Sequence, residues 1–294
     1  MMIFLAGGTG FVGGHVRNIL LEHGNSIRLL THRNIAGAVE GIQLLKGDVT
    51  KPETFMDALP ECDAVINLVG IIREFPGRGI TFKKLHVEAT GNLIKACKHA
   101  GIKRYLHMSA LGTGPHAVSR YHTTKYQAEQ CVRDSGLDYT IFRPSIIFGP
   151  KDDFINKLAC YIKDYPAVPV IGDGMYRLQP IAADDVARCF ALALHMPETI
   201  GKTYELCGPD RFTYNEMLDS IAKVLGRSNV SKLNTPAGLV KLTARLMERF
   251  SFFPITTDQI TMLLEENICD GTWREMFGFP PTRFAEGIKS YLRK

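Results

Sequence analysis

Three polar side chains have the types and spacing of a proton-transfer site: Ser109, Tyr121 and Lys125. Ser109 ends a predicted strand, and Tyr121 and Lys125 lie four positions apart on a predicted helix, where positions i and i+4 share one face. A free tyrosine has a pKa of about 10, and a neighbouring ammonium group favours the phenolate and lowers that value. Although Tyr-x-x-x-Lys spacing also arises by chance, we expect Tyr121 to act as a general acid or base on an oxygen atom that Ser109 holds.

A glycine-rich turn near residue 10 predicts the element that brings a cofactor to these side chains. Gly7, Gly10 and Gly13 are spaced GxxGxxG between an apolar strand that begins at Met2 and a helix predicted over residues 15–23. The first glycine lets the chain leave the strand sharply, the second lets backbone approach a pyrophosphate, and the third lets the helix pack against the strand. A helix N-terminus also favours phosphate. The alternative is a glycine-rich turn that binds nothing. The residues expected to contact a dinucleotide are Gly7, Thr9, Gly10, Phe11, Val12 and Gly13.

With a nicotinamide dinucleotide in this turn, the polar side chains acquire a specific chemistry. Hydride would move at the nicotinamide while Tyr121 passes a proton to or from a substrate oxygen. The positive nicotinamide ring would lower the pKa of Tyr121 further. Lys125 could also hold the nicotinamide ribose.

The first half of the chain alternates strand and helix patterns, which predicts a parallel sheet with helices on both faces. The predicted strands after the first are residues 26–30, 42–46, 64–69, 104–108, 139–142 and, later, 202–207. A capping box with a proline in the first turn starts a helix at residues 50–53, and two further helices are predicted over about 82–99 and 120–135, each stopping at a glycine. In such a fold the ligand lies at the carboxyl ends of the strands.

These elements predict an α/β protein, a Rossmann-type doubly wound parallel sheet with a smaller, mostly helical C-terminal lobe. We expect the sheet domain to comprise residues 1–150, with residues 175–207 returning to it. The lobe, for substrate or partner, then comprises residues 151–174 and 208–294.

The residues that end the next strands indicate which dinucleotide is held. An acidic side chain after the second strand binds the ribose hydroxyls of NAD, whereas a basic one accommodates the extra phosphate of NADP. Arg33 stands there, and its planar, charged guanidinium suits phosphate, which favours NADP over NAD; the alternative is an ordinary surface arginine. Asp48, with Val49 beside it, either accepts from the adenine amino group or only forms a turn. At the end of the fourth strand the backbone expected against the middle of the cofactor is that of Leu68, Val69 and Gly70.

Bulk properties exclude several classes of protein. A hydrophobic content of 45% and a charged content of 22% are typical of a soluble globular protein. The net charge of +5 is mild and its lysines and arginines are interspersed with acids, so nucleic acid is not expected as a partner. The seven cysteines are scattered singly, which predicts no metal site, and their odd number argues against a disulfide framework. The first apolar run lacks a basic leader and no window reaches the length of a membrane span, so the expected location is a reducing cytoplasm.

A basic amphipathic pattern covers residues 239–253 in the C-terminal lobe. Its apolar residues recur at helical spacing with basic residues between them, and two phenylalanines and a proline follow. Such a helix contacts either a membrane surface, here the inner face of a membrane, or a protein complex. The alternative is an ordinary helix whose apolar side chains face the core. The residues are Leu239, Leu242, Leu246 and Phe250, with Lys241, Arg245 and Arg249 interleaved.

The order of these motifs resembles the extended and atypical branches of the short-chain dehydrogenase/reductase superfamily, the NAD-dependent epimerase/dehydratase type. In that superfamily the segment after the sixth strand borders the nicotinamide, which implies a cofactor contact at Pro144, and members often form homodimers through the helix that carries the tyrosine. The motifs are Gly7-Gly-Thr-Gly-Phe-Val-Gly13, Asp48-Val49, Ser109, Tyr121-x-x-x-Lys125, Arg143-Pro-Ser-Ile-Ile-Phe-Gly-Pro150 and Pro180-Ile-Ala-Ala-Asp-Asp-Val-Ala187.

One subgroup is especially similar: the NAD(P)-binding accessory subunit of respiratory complex I and its bacterial relatives. Its mitochondrial members are thought to hold NADPH structurally, without evident turnover. The sequence segments that resemble it are Ser-Ala-Leu-Gly112, Tyr-His-Thr-Thr-Lys-Tyr-Gln-Ala-Glu129 and Leu-Asp-Tyr-Thr-Ile-Phe-Arg-Pro-Ser145.

Three functions therefore remain open at the level of sequence. The first is an NADP-dependent oxidoreductase acting on a small carbonyl or alcohol through Ser109, Tyr121 and Lys125. The second is a protein that holds NADPH and docks a partner or a membrane complex. The third is an epimerase or dehydratase of nucleotide sugars. Two departures weaken the third: Tyr121 follows Ser109 by only twelve positions, and Arg33 stands where those enzymes usually carry an acid.

Overall fold

A computed structural model describes residues 1–32, 40–248, 250, 253 and 255–293, and Arg33 and Arg249 lie outside the described residues. The strands are β1 Met2–Ala6, β2 Ser26–Thr31, β3 Ile42–Lys46, β4 Ala64–Asn67, β5 Arg104–Met108, β6 Asp138–Pro144, β7 Ile147–Phe148, β8 Val168–Ile171, β9 Arg177–Leu178, β10 Ile181–Ala182, β11 Lys202–Leu206, β12 Phe212–Thr213 and β13 Lys232–Thr235. The helices are α1 Phe11–Glu22, α2 Ala89–Ala100, α3 Arg120–Arg133, α4 Phe154–Asp164, α5 Ala183–Ala193, α6 Tyr214–Val224, α7 Ala237–Met247, α8 Thr257–Leu264, α9 Trp273–Phe277 and α10 Phe284–Leu292.

The central sheet has the strand order β11-β6-β5-β4-β1-β2-β3. From β6 to β3 in this order, each strand runs parallel to the next. Strand β1, inside the sheet, is buried from Ile3 to Ala6, as expected when helices cover both faces. The chain moves outward in opposite directions from β1, so a crevice is expected at the carboxyl ends of β1 and β4. The sheet confirms the predicted Rossmann-type fold.

The helices differ from the prediction mainly at their starts. Helix α1 begins at Phe11, four residues before the predicted start, because the helix continues back through Gly13 and Gly14 to the turn itself. Helix α3 begins at the predicted position, where the Ser119 hydroxyl accepts a hydrogen bond from the His122 N–H at 3.1 Å. The predicted helix over 82–99 starts as a π-helical turn, Lys83–Glu88, and continues as α2.

The predicted capping box at residues 50–53 does not form. Two short 3₁₀ turns, Pro52–Thr54 and Met56–Ala58, occupy that region instead. The Thr50 hydroxyl, which would have capped the helix, donates to Asp48 Oδ1 at 2.8 Å, and the Thr50 N–H donates to the same oxygen at 2.9 Å. The aspartate turn thus takes the groups that a helix start would need.

The chain divides into two compact units, residues 1–144 with 184–205, and residues 145–183 with 206–294. Residues 175–183, which the sequence assigns to the returning segment, lie in the second unit. The second unit packs α4, α6 and α10 around a core that includes Phe148 and Phe284. Short strand pairs, β7 with β10, β8 with β13 and β9 with β12, complete it.

A disulfide joins Cys207 and Cys269 within the second unit, although the odd cysteine count argued against a disulfide framework. Their Cα atoms are 6.1 Å apart, and 62 positions separate them in sequence. The Trp273 indole N–H donates to the Cys207 carbonyl at 3.1 Å and supports the same junction. An odd number of cysteines requires only that one stays unpaired, so the count could not exclude a single long-range pair.

Within the described part of the chain, no helix is both long enough and apolar enough to cross a bilayer.

We predict opposite effects on stability for alanine at two adjacent glycines of α1. A Cβ on Gly13 would lie 2.3 Å from the Gly7 carbonyl oxygen and 2.5 Å from Gly8 Cα, whereas a Cβ on Gly14 meets nothing within 4 Å. Gly13→Ala should lower the free energy of unfolding by about 2–3 kcal/mol through overpacking. Gly14→Ala should raise it by up to about 1 kcal/mol through helix propensity. Urea denaturation of both variants measures this, and equal stabilities would contradict the close packing of the turn.

Candidate dinucleotide and proton-transfer site

The turn after β1 brings three backbone segments into close contact. Gly7 has a φ of +82°, and a Cβ there would lie 2.7 Å from the carbonyl carbon of Leu68, beyond β4. The Gly10 N–H donates to the Gly7 carbonyl at 3.1 Å and closes the turn. A Cβ on Gly10 would have only the Gly7 oxygen, at 3.4 Å, as a near neighbour. The first and third glycines therefore pack against the protein, while the second faces open space.

The N-terminus of α1 fits a phosphate group. Thr9 and Gly10 are exposed, and no side chain among the described residues caps the helix at Gly10. Its first turn carries no acidic residue, so the N–H groups and the helix dipole are not already neutralised. Val12 points into the core, and the Phe11 ring meets the His15 ring edge-on at 5.4 Å. The predicted pyrophosphate position is compatible with this geometry.

Asp48 follows β3 and is partly committed to its own turn. Its Oδ1 accepts both bonds from Thr50, and its Oδ2 lies 3.8 Å from Nε2 of the exposed His32. Burial raises the pKa of Asp48, but these hydrogen bonds and the nearby imidazole together outweigh it and leave the pKa below its usual value. The neighbouring Val49 carbonyl accepts a hydrogen bond from the Asn92 amide at 3.1 Å, which ties this turn to α2.

The end of β4 is shaped by the buried side chain of Asn67. Its Oδ1 accepts from the Val69 N–H at 3.0 Å, while its amide nitrogen donates to the Thr90 hydroxyl and to the Tyr105 hydroxyl at 3.1 and 3.0 Å. Leu68 is buried and Gly70 is exposed, so the chain rises to the surface over these residues. The bonds fix the backbone that the sequence predicts beside the middle of the cofactor.

Lys125 links the ends of β4 and β5. Its side chain is 2% exposed, and its Nζ donates to the Met108 carbonyl at 3.0 Å and to the Val69 carbonyl at 3.4 Å. Burial lowers the pKa of Lys125 to about 8, against a smaller raising effect of Glu129. A Cβ on Gly70 would lie 3.0 Å from the same Nζ. The structure therefore brings Lys125, the Val69–Gly70 backbone and the residue before Ser109 together.

Tyr121 lies one helical turn before Lys125 within a group of aromatic rings. Its ring meets those of Phe82, His86 and His122 edge-on, with centroids 5.9, 5.3 and 5.2 Å away. Burial raises the pKa of Tyr121 to about 12. This corrects the expected lowering, because in the protein alone the loss of hydration outweighs any effect of the ammonium group.

Ser109 lies directly after β5, where its N–H continues the sheet by donating to the Phe142 carbonyl at 2.7 Å. Its side chain is buried, and its hydroxyl donates to the Thr113 hydroxyl at 3.4 Å. Pro144, at the end of β6, accepts a hydrogen bond from the Leu111 N–H at 2.9 Å. The start of the loop after β5 is therefore held against β6 at the carboxyl edge of the sheet.

Two buried histidines at this site are not predicted from the sequence. His86 lies on the π-helical turn, with Nδ1 2.9 Å from the Thr124 hydroxyl and Nε2 3.2 Å from the Ile71 carbonyl. Burial and the adjacent Lys125 lower the pKa of His86 to about 2, so the ring is neutral. His107 on β5 is also buried, and its Nε2 has no hydrogen-bond partner among the described residues. Their partners are distant in sequence, so no local spacing could have revealed them.

A buried ion pair fixes α3 on the sheet. Glu129 is fully buried and receives two hydrogen bonds from the Arg143 guanidinium of β6, at 2.8 and 2.7 Å, and one from Arg133 at 3.3 Å. A bidentate pair of this kind is directional, so it sets the position of the helix that carries Tyr121 and Lys125.

The described residues contain no group of three or more His, Cys, Asp or Glu side chains that could hold a metal ion.

Comparison with known proteins agrees with this geometry. The family model described as the NAD dependent epimerase/dehydratase family matches residues 3–207, which include every predicted site residue. The chain belongs to this family. Its membership confirms the resemblance read from the glycine turn and the motifs that follow it, and it makes a nicotinamide dinucleotide the cofactor class of the fold.

Two curated relatives of this family member have different biological settings. Mitochondrial NADH dehydrogenase (ubiquinone) 1 alpha subcomplex subunit 9 of Dictyostelium discoideum is 29% identical over 267 residues, covering 86% of this chain and 73% of that protein. Photosystem II assembly factor Ycf39 of a Synechocystis species is 27% identical, covering 100% of this chain and 90% of that protein. Among solved structures, UDP-glucose 4-epimerase of Thermotoga maritima has a TM-score of 0.78 at 20% identity, over 100% of this chain and 98% of that one, which shows the shared fold.

We predict a pH dependence of stability that belongs to Lys125. Below pH 8 both the folded and the unfolded chain carry its proton, whereas between pH 8 and 10.5 only the unfolded chain does, so stability rises with pH in that window. The free energy of unfolding of the wild type relative to Lys125→Met should increase by about 3 kcal/mol from pH 7.5 to 10.5. Urea denaturation across this range measures it. Lys95→Met, which removes an exposed lysine, is the matched control. A flat Lys125 curve would contradict the burial of a charged lysine.

Proposed function

We propose that this family member is an NADP(H)-dependent oxidoreductase that transfers hydride between the cofactor and a small carbonyl or alcohol. The observation that carries the proposal is the position of Lys125, whose ammonium joins the backbone before Ser109 to the backbone at Val69. The same backbone reaches the glycine turn, since Leu68 packs against Gly7. A substrate oxygen near Ser109 and a cofactor along the turn would thus meet at one edge of the sheet.

The side chains are suited to donating a proton. The nicotinamide, when bound, supplies or accepts the hydride. With its pKa raised to about 12, Tyr121 keeps its phenolic proton at neutral pH and can pass it to a developing alkoxide oxygen. Lys125, with a pKa of about 8, is mostly charged at pH 7 and would stabilise that negative charge. Ser109 would turn its hydroxyl from Thr113 to the substrate oxygen and hold it in place.

The preference for NADP rests on the end of β2. The last described residues there, Thr31 and His32, carry no carboxylate for a ribose, and Arg33 follows them in the sequence. Asp48, after the next strand, is engaged by Thr50 through one oxygen, which leaves the other for an adenine amino group. A guanidinium at position 33 would form charge-assisted bonds to a 2′-phosphate.

A second candidate is a protein that holds NADPH and docks a partner or a membrane complex through residues 239–253. The relatives named as an NADH dehydrogenase subunit and as a photosystem assembly factor favour it, and so does the exposure of Leu239, Leu242 and Leu246. A nucleotide-sugar epimerase or dehydratase is supported by the family model. Binding of UDP- or dTDP-sugars, measured by calorimetry, would separate that alternative from the other two.

We predict that Arg33 distinguishes the two cofactors. Arg33→Ala should weaken NADPH binding by about 10- to 100-fold, since a hydrogen bond to a charged group contributes about 1.5–3 kcal/mol. NADH binding should change little, because NADH lacks the phosphate. Fluorescence titrations measure both affinities. Lys202→Ala, which removes the same charge from the far edge strand, should leave both unchanged. Equal losses for NADPH and NADH would remove Arg33 as the phosphate contact.

We predict that Tyr121→Phe abolishes proton transfer while leaving the cofactor bound. Single-turnover oxidation of NADPH with a panel of small aldehydes and ketones should slow by about 10²- to 10⁴-fold, the usual loss of a general acid. Tyr126→Phe, on the same helix, should react at the wild-type rate. Undiminished turnover in Tyr121→Phe would overturn the assigned mechanism. Tight NADPH binding by the wild type without turnover on any carbonyl would favour the second candidate function.

A further inference from the structure

Helix α7 turns its three leucine side chains away from the protein. Leu239, Leu242 and Leu246 are 58%, 57% and 64% exposed, although positions i, i+3 and i+7 share one face of a helix. On the opposite face the small side chain of Ala244 is fully buried. Phe250, one turn beyond Leu246, is also exposed. An ordinary surface helix has the reverse arrangement, with leucines inside. The leucine face, defined as these three leucines with Phe250, is thus not a core face.

The charged side chains within helix α7 are both basic. Lys241 and Arg245 lie four residues apart on α7 and form a second row next to the leucines. The helix Ala237–Met247 contains no acidic residue. The acid that follows it, Glu248, accepts a hydrogen bond from the Thr257 N–H at 2.8 Å. A row of leucines flanked by basic side chains complements a surface that is apolar below and anionic above.

We propose that α7 lies in the surface of an anionic lipid bilayer, with the leucine face among the acyl chains and Lys241 and Arg245 at the headgroups. A single row of leucines matches a helix lying in a membrane interface. A stable protein interface needs about 20–30 residues a side and relies on Trp, Tyr and Arg, with leucine under-represented at its centre. The inference rests on the second candidate function and deepens it by naming what the docking surface meets.

Vesicle sedimentation of the full-length protein with NADPH tests the proposal. The probes are vesicles of phosphatidylcholine alone and of phosphatidylcholine and phosphatidylglycerol in a three-to-one mixture. The wild type should sediment with the anionic vesicles, less so at high salt, and weakly with the neutral ones. Leu242→Gln/Leu246→Gln should remain in solution with both. Lys241→Gln/Arg245→Gln should lose about 25-fold in partitioning to the anionic vesicles, roughly fivefold for each basic side chain.

Controls separate this proposal from misfolding and from the cofactor site. Leu44→Gln changes an exposed leucine on β3 and should sediment like the wild type. All variants should keep the wild-type melting temperature and NADPH affinity. If no sample binds NADPH, the proposed dinucleotide function fails while the vesicle result still decides the lipid surface.

Three outcomes would overturn the lipid proposal. The wild type could stay in solution with both vesicles. Leu242→Gln/Leu246→Gln could sediment as well as the wild type. The wild type could also ignore vesicles and instead form dimers that the double leucine variant lacks, which would assign the leucine face to a second copy of the chain.

Discussion

The close approach of the Gly7 turn to the end of β4 is the contact on which the site depends. With a φ of +82° and no room for a Cβ against Leu68, position 7 admits only glycine without a backbone shift. That contact joins the two strands at which the chain reverses its direction across the sheet. It places the N-terminus of α1 beside the backbone after β4, which the Asn67 side chain holds in position. A dinucleotide that follows the turn therefore meets backbone already held by buried hydrogen bonds.

Lys125 introduces the opposite kind of constraint, because it is a charge kept where burial disfavours it. Its ammonium is held by two carbonyl oxygens, and it adds to the burial that lowers the pKa of the neighbouring His86. The buried Glu129–Arg143 pair, one turn along α3, fixes the position of the helix that carries this lysine. A cost in stability at such a position is typical of functional sites, where pKa values are shifted from their usual range.

The sequence was informative wherever a local pattern determines the structure. Strands β3 and β5 have the predicted bounds, since apolar runs between polar turns leave little choice. The start of α1 was wrong by four residues, because glycines that disfavour an isolated helix are required here by packing. The capping box failed because Asp48 competes for Thr50. His86 and the Cys207–Cys269 pair depend on contacts between distant segments, which residue spacing does not encode. The raised pKa of Tyr121 likewise depends on burial to which Phe82 and His86, from a distant segment, contribute.

The central claim is that the glycine turn holds a dinucleotide whose extra phosphate is recognised. It is tested most directly by titrating nucleotide-free wild-type protein with NADPH and NADH and following the nicotinamide fluorescence. The account predicts saturable binding of both, with NADPH at least about tenfold tighter. Tighter binding of NADH would contradict the assignment of the phosphate contact. Binding of neither would mean that the turn serves only the packing of β1, α1 and β4, and that Ser109, Tyr121 and Lys125 do not form a redox site.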